Sequence, residues 1–159
     1  GNTKWKFLIA SLRDEEIDFL AELQEVTSDI EQFDPTLPMS HFYQQVDLLL
    51  LPSRREGLPN VVLEAAASGI PCVVSGFTGS QDVVIHGKTG LISNGHSAIS
   101  FCSSVLELVN DVQKRTILGK NARAFVENHF DEKRVISLYT EFLGSLHSVT
   151  ADRTPRSKR

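Results

Sequence analysis

The sequence predicts an α/β fold in which helices cover a parallel β-sheet. Short apolar runs centred near residues 7, 31, 49, 73 and 91 alternate with segments of helical periodicity. The runs at residues 47–51 and 71–75 are apolar on both faces, which is typical of central parallel strands. Repeated β-α-β units form parallel sheets with right-handed crossovers. We therefore expect a Rossmann-like sheet that is closed by helices at the C-terminal end of the chain.

The first elements are predicted from local periodicity. Residues 5–10 (WKFLIA) form an apolar run bounded by polar residues, which indicates a buried strand. Residues 13–28 carry one apolar stripe among acidic side chains, the pattern of a surface helix. Residues 29–33 alternate as a half-buried strand does. Residues 38–46 can form a helix that is capped by Ser40 or by the residues before it.

The segment from residue 52 to residue 75 carries the most informative side chains. It predicts a Gly/Pro loop with Glu56, a short Ala-rich helix with Glu64, and then a strand. Asn60 or the residues just before it can cap this helix. Between residues 61 and 67, Glu64 is the only side chain that is not apolar. We therefore expect a buried helix, in which an unpaired carboxylate would cost several kcal/mol unless a partner or a ligand binds it.

The C-terminal third of the chain is predicted to be mostly helical. One helical turn is expected at residues 82–86, a turn at residues 87–90 and a short strand at residues 91–93. From residue 97 to about residue 150 the pattern is helical throughout. Breaks in this pattern are expected near three residues, namely Asn110, Gly119 and Asn128.

Composition and charge limit the possible functions. A chain of 159 residues that is 41% hydrophobic and 23% charged suits one domain, which we place at residues 1–150. Residues 151–159 hold four bases and one acid, and we expect them to form a disordered basic tail. The net charge of −4 argues against a nucleic-acid partner. No apolar run approaches the roughly 18 residues that a transmembrane helix needs.

Metal sites and phosphate loops find no support in the sequence. The five histidines share no metal-binding spacing, so no metal is expected. A Walker A motif would need Gly where Asp82 stands, so Gly87-Lys88-Thr89 is predicted to be a simple turn. Cys72 is predicted to be a small buried apolar residue. The absence of paired cysteines and of a signal-peptide pattern favours a reducing cytoplasm.

Several motifs together resemble one known family. EGLPNVVLE, AAASGIPCVVS and DVVIHGKTGLI follow one another in the chain, and in this order they resemble the donor-binding C-terminal domain of family 4 (group 1) retaining glycosyltransferases of the GT-B fold. The signature of that family is two glutamates separated by seven residues, which Glu56 and Glu64 match. Asp47 with Pro52-Ser53 also fits the pattern, and the resemblance extends from about Trp5 to Leu143.

The resemblance implies specific roles at the matching positions. Glu56 would be the catalytic-site carboxylate that contacts hydroxyls of the donor sugar, and Glu64 would bind the ribose hydroxyls of the nucleotide. Phe33 and Asp34 match the place where the family contacts the base, and Arg54 is a further candidate for phosphate or acceptor. The loop and helix start between the glutamates would hold the sugar and the distal phosphate, through Gly57, Leu58, Pro59, Asn60 and Val61.

The resemblance also defines what this chain lacks. The family's first strand and helix, with an Arg and a Lys for the pyrophosphate, would precede Trp5, and the usual Gly-Gly pair appears as Thr78-Gly79. The acceptor glycan or lipid would bind through an absent N-terminal domain. Since the chain starts at Gly1 without an initiator Met, we expect either a tag remnant or a longer polypeptide. The sequence therefore predicts part of an enzyme that needs no metal and no cofactor besides its nucleotide-sugar donor.

Two other interpretations remain open at this stage. The chain could be a non-catalytic Rossmann-like nucleotide-binding or interaction domain that keeps the scaffold without productive donor binding. A nucleotide-sugar epimerase shares the same architecture and would form its product without an acceptor. For the full-length glycosyltransferase we expect a cytoplasmic protein, peripheral at the inner membrane face.

Overall fold

The structure is a computed structural model, and it describes residues 6–10, 29–34, 36–94 and 97–151. The predicted helix at residues 13–28 lies outside the described residues, as does the predicted tail beyond Ala151. The described strands are β1 (Phe7–Ile9), β2 (Ile30–Gln32), β3 (Leu49–Leu51), β4 (Cys72–Ser75) and β5 (Gly90–Ser93). The described helices are α1 (Met39–Tyr43), α2 (Asn60–Ala67), α3 (Ser80–Val83), α4 (Ala98–Asn110), α5 (Val112–His129) and α6 (Glu132–Ala151).

All described strand pairs are parallel, as the sequence predicts. β1 pairs with β2, and β3 pairs with β4, which in turn pairs with β5. The strand order is therefore β2-β1 in one sheet and β3-β4-β5 in the other. A doubly wound sheet has the order 3-2-1-4-5-6, and the described strands fit positions 3-2 and 4-5-6. Among the described residues, no strand pairs with both β1 and β3.

The core has two parts because β4 is covered on both faces. Cys72 and Val74 face a cluster with side chains of α1 and α2, and Leu8 of β1 packs against the same cluster. Val73 faces the opposite way, into a cluster that includes Leu108 of α4 and other buried leucines. The alternation along β4 thus distributes its side chains between α1–α2 on one face and α4–α5 on the other.

Burial of Cys72 agrees with the prediction that it is a small apolar core residue. The side chain is 1% exposed, and burial raises the pKa of its thiol to about 12.

The segment at residues 87–90 is a turn, with Gly87 at a φ of +72° and its N–H donating to the Gly90 carbonyl at 2.8 Å. The prediction of a turn rather than a phosphate loop is confirmed.

Three details of the predicted helices are wrong. The helical turn expected at residues 82–86 lies earlier, at α3. The cap positions of α1 and α2 are Pro38 and Pro59, which are among the preceding residues that the prediction allowed, but neither start has a side-chain cap hydrogen bond, from Ser40, Asn60 or any other residue. A proline at the cap position already fixes φ near the value that the chain needs to enter a helix.

The third wrong detail is the expected break at Gly119. Helix α5 continues through Gly119. This glycine lies where α5 packs closely against the chain after α2. A methyl group placed on Gly119 would lie 2.1 Å from the Gly69 carbonyl oxygen, so only glycine fits this contact. The other two breaks are confirmed at the ends of α4 and α5.

Candidate functional site

The candidate site lies where β3 and β4 end at the same edge of the sheet. Because the strands are parallel, the loop at residues 52–59 and the loop at residues 76–79 leave this edge side by side. Gly79 has a φ of +88°, and a methyl group placed on it would lie 3.2 Å from the Gly57 carbonyl oxygen. Gly79 therefore permits a close approach between the backbones of the two loops.

Glu56 is held in the loop after β3. Its side chain is partly buried, and within the described part of the chain no hydrogen bond or ion pair engages its carboxylate. The loop is shaped by Ser53, whose hydroxyl donates to the Arg55 carbonyl at 3.0 Å. Glu56 is thus an acid at the strand edge that remains available to a ligand.

The start of α2 offers backbone donors next to Glu56. Pro59 is buried, and its carbonyl accepts the first hydrogen bonds of the helix, from Val62 at 3.0 Å and Leu63 at 3.4 Å. The N–H groups of Asn60 and Val61 precede these bonds and have no acceptor within the helix. Unpaired N–H groups and the helix dipole make such an end suitable for an anion.

Glu64 is exposed, so the prediction that it is a buried carboxylate is wrong. The helix α2 buries Val62, Ala65 and Ala66, whereas Val61 and Glu64, one turn apart, lie on its outer side. Because Glu64 is exposed, its carboxylate carries little cost of burial and needs no buried partner.

Tyr43 binds Glu64, a contact that the sequence patterns do not predict. Its hydroxyl donates to Glu64 Oε2 at 2.9 Å and lies 3.4 Å from the Val61 carbonyl oxygen. The pKa of Tyr43 is raised, first by burial and then by the hydrogen bond to Glu64 and the negative charge there. The two residues lie 21 positions apart in sequence, so no local spacing predicts their contact. The one signal in the sequence is a tyrosine in a predicted helix that precedes a central strand.

Phe33 does not present its ring to a ligand. It is 4% exposed, and its ring packs edge-on against Phe42 with centroids 5.4 Å apart. A base contact from this position would therefore have to use the backbone. The next residue, Asp34, is exposed and accepts hydrogen bonds from the Thr36 hydroxyl at 2.7 Å and the Thr36 N–H at 2.8 Å, which lower the pKa of its carboxyl.

Arg54 lies apart from Glu64 and Tyr43. It lines a cleft of about 250 Å³ together with Pro52, Ser75, Ser97 and Phe101. Phe101 packs against the core on the α4 side of the sheet, whereas Tyr43 belongs to the core on the α1–α2 side. The structure thus places Glu56 in the loop that leads into α2 and Glu64 on the outer side of α2, whereas Arg54 lines a cleft on the α4 side of the sheet.

Among the described residues, no group of three His, Cys, Asp or Glu side chains could hold a metal ion. No described helix is both long enough and apolar enough to cross a membrane.

Comparison with known proteins identifies the family. Residues 1–111 match the family model of the group 1 glycosyl transferases. The chain belongs to this family. A group 1 relative, the capsular polysaccharide biosynthesis glycosyltransferase CapM of Staphylococcus aureus, is 33% identical over 106 residues, which cover 64% of this chain and 28% of CapM.

Solved structures confirm the predicted fold. Sucrose-phosphate synthase from Thermosynechococcus elongatus matches with a TM-score of 0.79 at 21% identity, over 89% of this chain and 38% of that one. Anabaena HepE in complex with UDP and glucose matches with a TM-score of 0.76 at 20% identity, over 88% of this chain and 40% of that one. The chain is therefore a Rossmann-like C-terminal domain of a GT-B group 1 glycosyltransferase. It spans 28% of the length of CapM and comparably small parts of other curated relatives.

Proposed function

We propose that this domain binds the nucleotide-sugar donor of a glycosyltransferase that moves a sugar to an acceptor hydroxyl with retention of configuration. The observation that carries the proposal is the arrangement at the β3 edge. Glu56, for which the described residues supply no hydrogen bond or ion pair, lies in the loop before α2. Glu64, which Tyr43 anchors, lies about one turn after the helix start, where backbone N–H groups have no acceptor within the helix. This order of groups suits a ligand with a sugar, a diphosphate and a ribose. The solved structure of HepE contains UDP and glucose, which supports this choice of ligand class.

The proposed chemistry is positional and electrostatic. Glu56 would orient the donor sugar through its hydroxyls, and the N–H groups at Asn60 and Val61 would stabilise charge on the departing diphosphate. Fixed dipoles that face developing charge favour the transition state over the ground state. Glu64 would hold the ribose and so keep the reacting sugar in register. No metal ion is needed for these roles.

The acceptor, a glycan or lipid, would bind through an N-terminal domain that completes the cleft. We therefore expect the chain of residues 1–159 to show no transferase activity by itself. Release of free nucleotide from UDP-, GDP- and ADP-sugars in the presence of acceptor is the measurement. Turnover by this chain alone would contradict the expectation.

The donor-binding proposal is tested by calorimetry on the longest natural form of the protein. UDP, GDP and ADP are titrated into wild type and into Glu64→Ala. Since a hydrogen bond to a charged group contributes about 1.5–3 kcal/mol, we expect Glu64→Ala to weaken binding roughly tenfold to hundredfold. Glu127→Ala is the matched control, because Glu127 is exposed on α5 and pairs only with Arg123 among the described residues.

The outcomes separate the proposal from its alternative. Binding of one nucleotide that Glu64→Ala weakens and Glu127→Ala does not would support a donor site. Absence of binding by all three nucleotides would contradict it and favour a non-catalytic interaction domain. A nucleotide sugar that is epimerised without acceptor would instead identify an epimerase.

A further inference from the structure

Tyr43 connects the core of the domain to the candidate ribose site. Its hydroxyl is 2.9 Å from Glu64 Oε2, and within the described part of the chain Glu64 has no other side-chain partner. The Glu64 side chain is itself exposed. An exposed glutamate normally samples several rotamers, so a single fixed donor decides where its carboxylate lies.

The tyrosine is held rigidly enough to act as an anchor. It is 7% exposed, and its ring packs edge-on against Phe42 with centroids 5.5 Å apart. Phe42 packs in the same manner against Phe33. The three rings form part of the core beneath α1 and α2, so the hydroxyl that meets Glu64 comes from a fixed support. Packed aromatic rings have few alternative positions.

We propose that Tyr43 is a positioning residue that orients the Glu64 carboxylate for the hydroxyls of the donor ribose, and that the preference for ribose over deoxyribose depends on it. This inference rests on the proposed function. Tyr43 occupies one lone pair of Oε2 and leaves Oε1 to accept from the ligand. A site that is arranged to bind a hydroxyl rejects the analogue without it, because its own polar group is then left unpaired.

Burial keeps Tyr43 in the form that this role needs. Because the pKa of Tyr43 is raised, its phenol stays protonated and remains a donor throughout the neutral range. The hydrogen bond therefore has a fixed direction, from Tyr43 to Glu64. Glu64 can only accept, both from Tyr43 and from a ribose hydroxyl.

The test compares each of UDP, GDP and ADP with its 2′-deoxy counterpart by calorimetry, in wild type and in Tyr43→Phe. The substitution removes the hydroxyl and keeps the ring in its packing. We expect Tyr43→Phe to weaken the ribonucleotide that binds about fivefold to tenfold and to leave its deoxy counterpart within twofold. The ratio of the two affinities should fall accordingly. Tyr139→Phe, at an exposed tyrosine of α6, is the matched control and should change neither affinity.

A double variant tests whether Tyr43 acts through Glu64. In Glu64→Ala, the further change Tyr43→Phe should have no effect on the affinity ratio, since the group that Tyr43 orients is gone. As a second variant at the same position, 3-fluorotyrosine keeps the ring and the hydroxyl but makes the hydroxyl a stronger donor. It should keep or increase the ratio of ribonucleotide to deoxynucleotide affinity. This variant can be measured even if Tyr43→Phe does not fold.

The results distinguish three situations. Equal weakening of the ribonucleotide and the deoxynucleotide by Tyr43→Phe would overturn the inference in favour of a purely structural role. No change in either affinity would overturn it too. Failure of wild type to bind any of the three nucleotides would overturn the proposed function itself, and the inference with it.

Discussion

The contact between α2 and α5 is made of the smallest side chains, whereas α6 carries large apolar side chains that remain exposed. Ala65 and Ala66 of α2 are buried, and Gly119 of α5 meets the Gly69 carbonyl directly. Leu138 and Phe142 of α6 are more than half exposed. The difference shows that burial in this domain follows from a close-fitting partner, and that hydrophobic composition alone does not determine it.

The largest expected effect comes from replacing a leucine by alanine in the core, compared with the same replacement on α6. Leu108 is fully buried between α4 and the sheet, and Leu146 of α6 is about half exposed. We expect Leu108→Ala to lower the free energy of unfolding by about 2–5 kcal/mol, because it loses packing and leaves a cavity. Leu146→Ala should lower it by less than about 0.5 kcal/mol. Urea unfolding followed by circular dichroism measures both.

Similar losses for the two leucine variants would mean that α6 has a packed partner in solution. That result would contradict the contrast between the packed core and the exposed side chains of α6. A larger loss for Leu108→Ala than for Leu146→Ala would confirm the contrast and measure it.

The second largest effect is expected when a glycine in each region is replaced by alanine, which adds a methyl group. At Gly119 it would lie 2.1 Å from the Gly69 carbonyl oxygen, and at Gly144 of α6 it would meet no atom of the described residues within 4 Å. Gly119→Ala must separate α5 from the chain after α2, and we expect it to lower the free energy of unfolding by about 1–3 kcal/mol. Gly144→Ala should not lower it, since alanine favours a helix over glycine.

Chemical unfolding of the two glycine variants checks this pair. A Gly119→Ala protein as stable as wild type would show that the α2–α5 contact can relax without cost. The close approach would then not be the reason why glycine occupies position 119.

The parts of the fold that were predictable from sequence are those set by local pattern. β3 and β4 were predicted because strands covered on both faces need continuous apolar runs, here at Leu49–Leu51 and Cys72–Ser75. The family and the positions of Glu56 and Glu64 followed from ordered motifs. The assignment of a ligand role to either glutamate remains a prediction.

The error at Gly119 and the omission of Tyr43 share one physical cause, which is contact between residues far apart in sequence. Gly119 looked like a helix break because its partner, Gly69, is 50 positions away. Glu64 looked buried because apolar composition was taken for burial, although α2 leaves one side open. Tyr43 gives no sequence signal because its hydrogen bond to Glu64 joins two helices, one before β3 in the chain and one after it. Local periodicity carries no information on such pairs.

The smallest expected effect concerns a cysteine. The two cysteines of the described chain differ as the two regions do, since one is buried and the other is exposed. Cys72 is buried in β4, and Cys102 is exposed on α4. Burial raises the pKa of the Cys72 thiol from 9.0 to about 12, so the folded chain keeps a proton that the unfolded chain releases above about pH 9. The free energy of unfolding should therefore fall as pH rises from about 9, by at most about 1.4 kcal/mol per pH unit.

The cysteine effect is best measured between pH 9 and about pH 10. Above this window Tyr43 adds a decrease of the same sign, because its pKa is raised as well and a free tyrosine titrates near pH 10. Urea unfolding at several pH values should show a shallower decline for Cys72→Ala than for wild type. Equal slopes in the two proteins would indicate that water reaches Cys72 in the folded state, and that β4 is less closely covered than its burial implies.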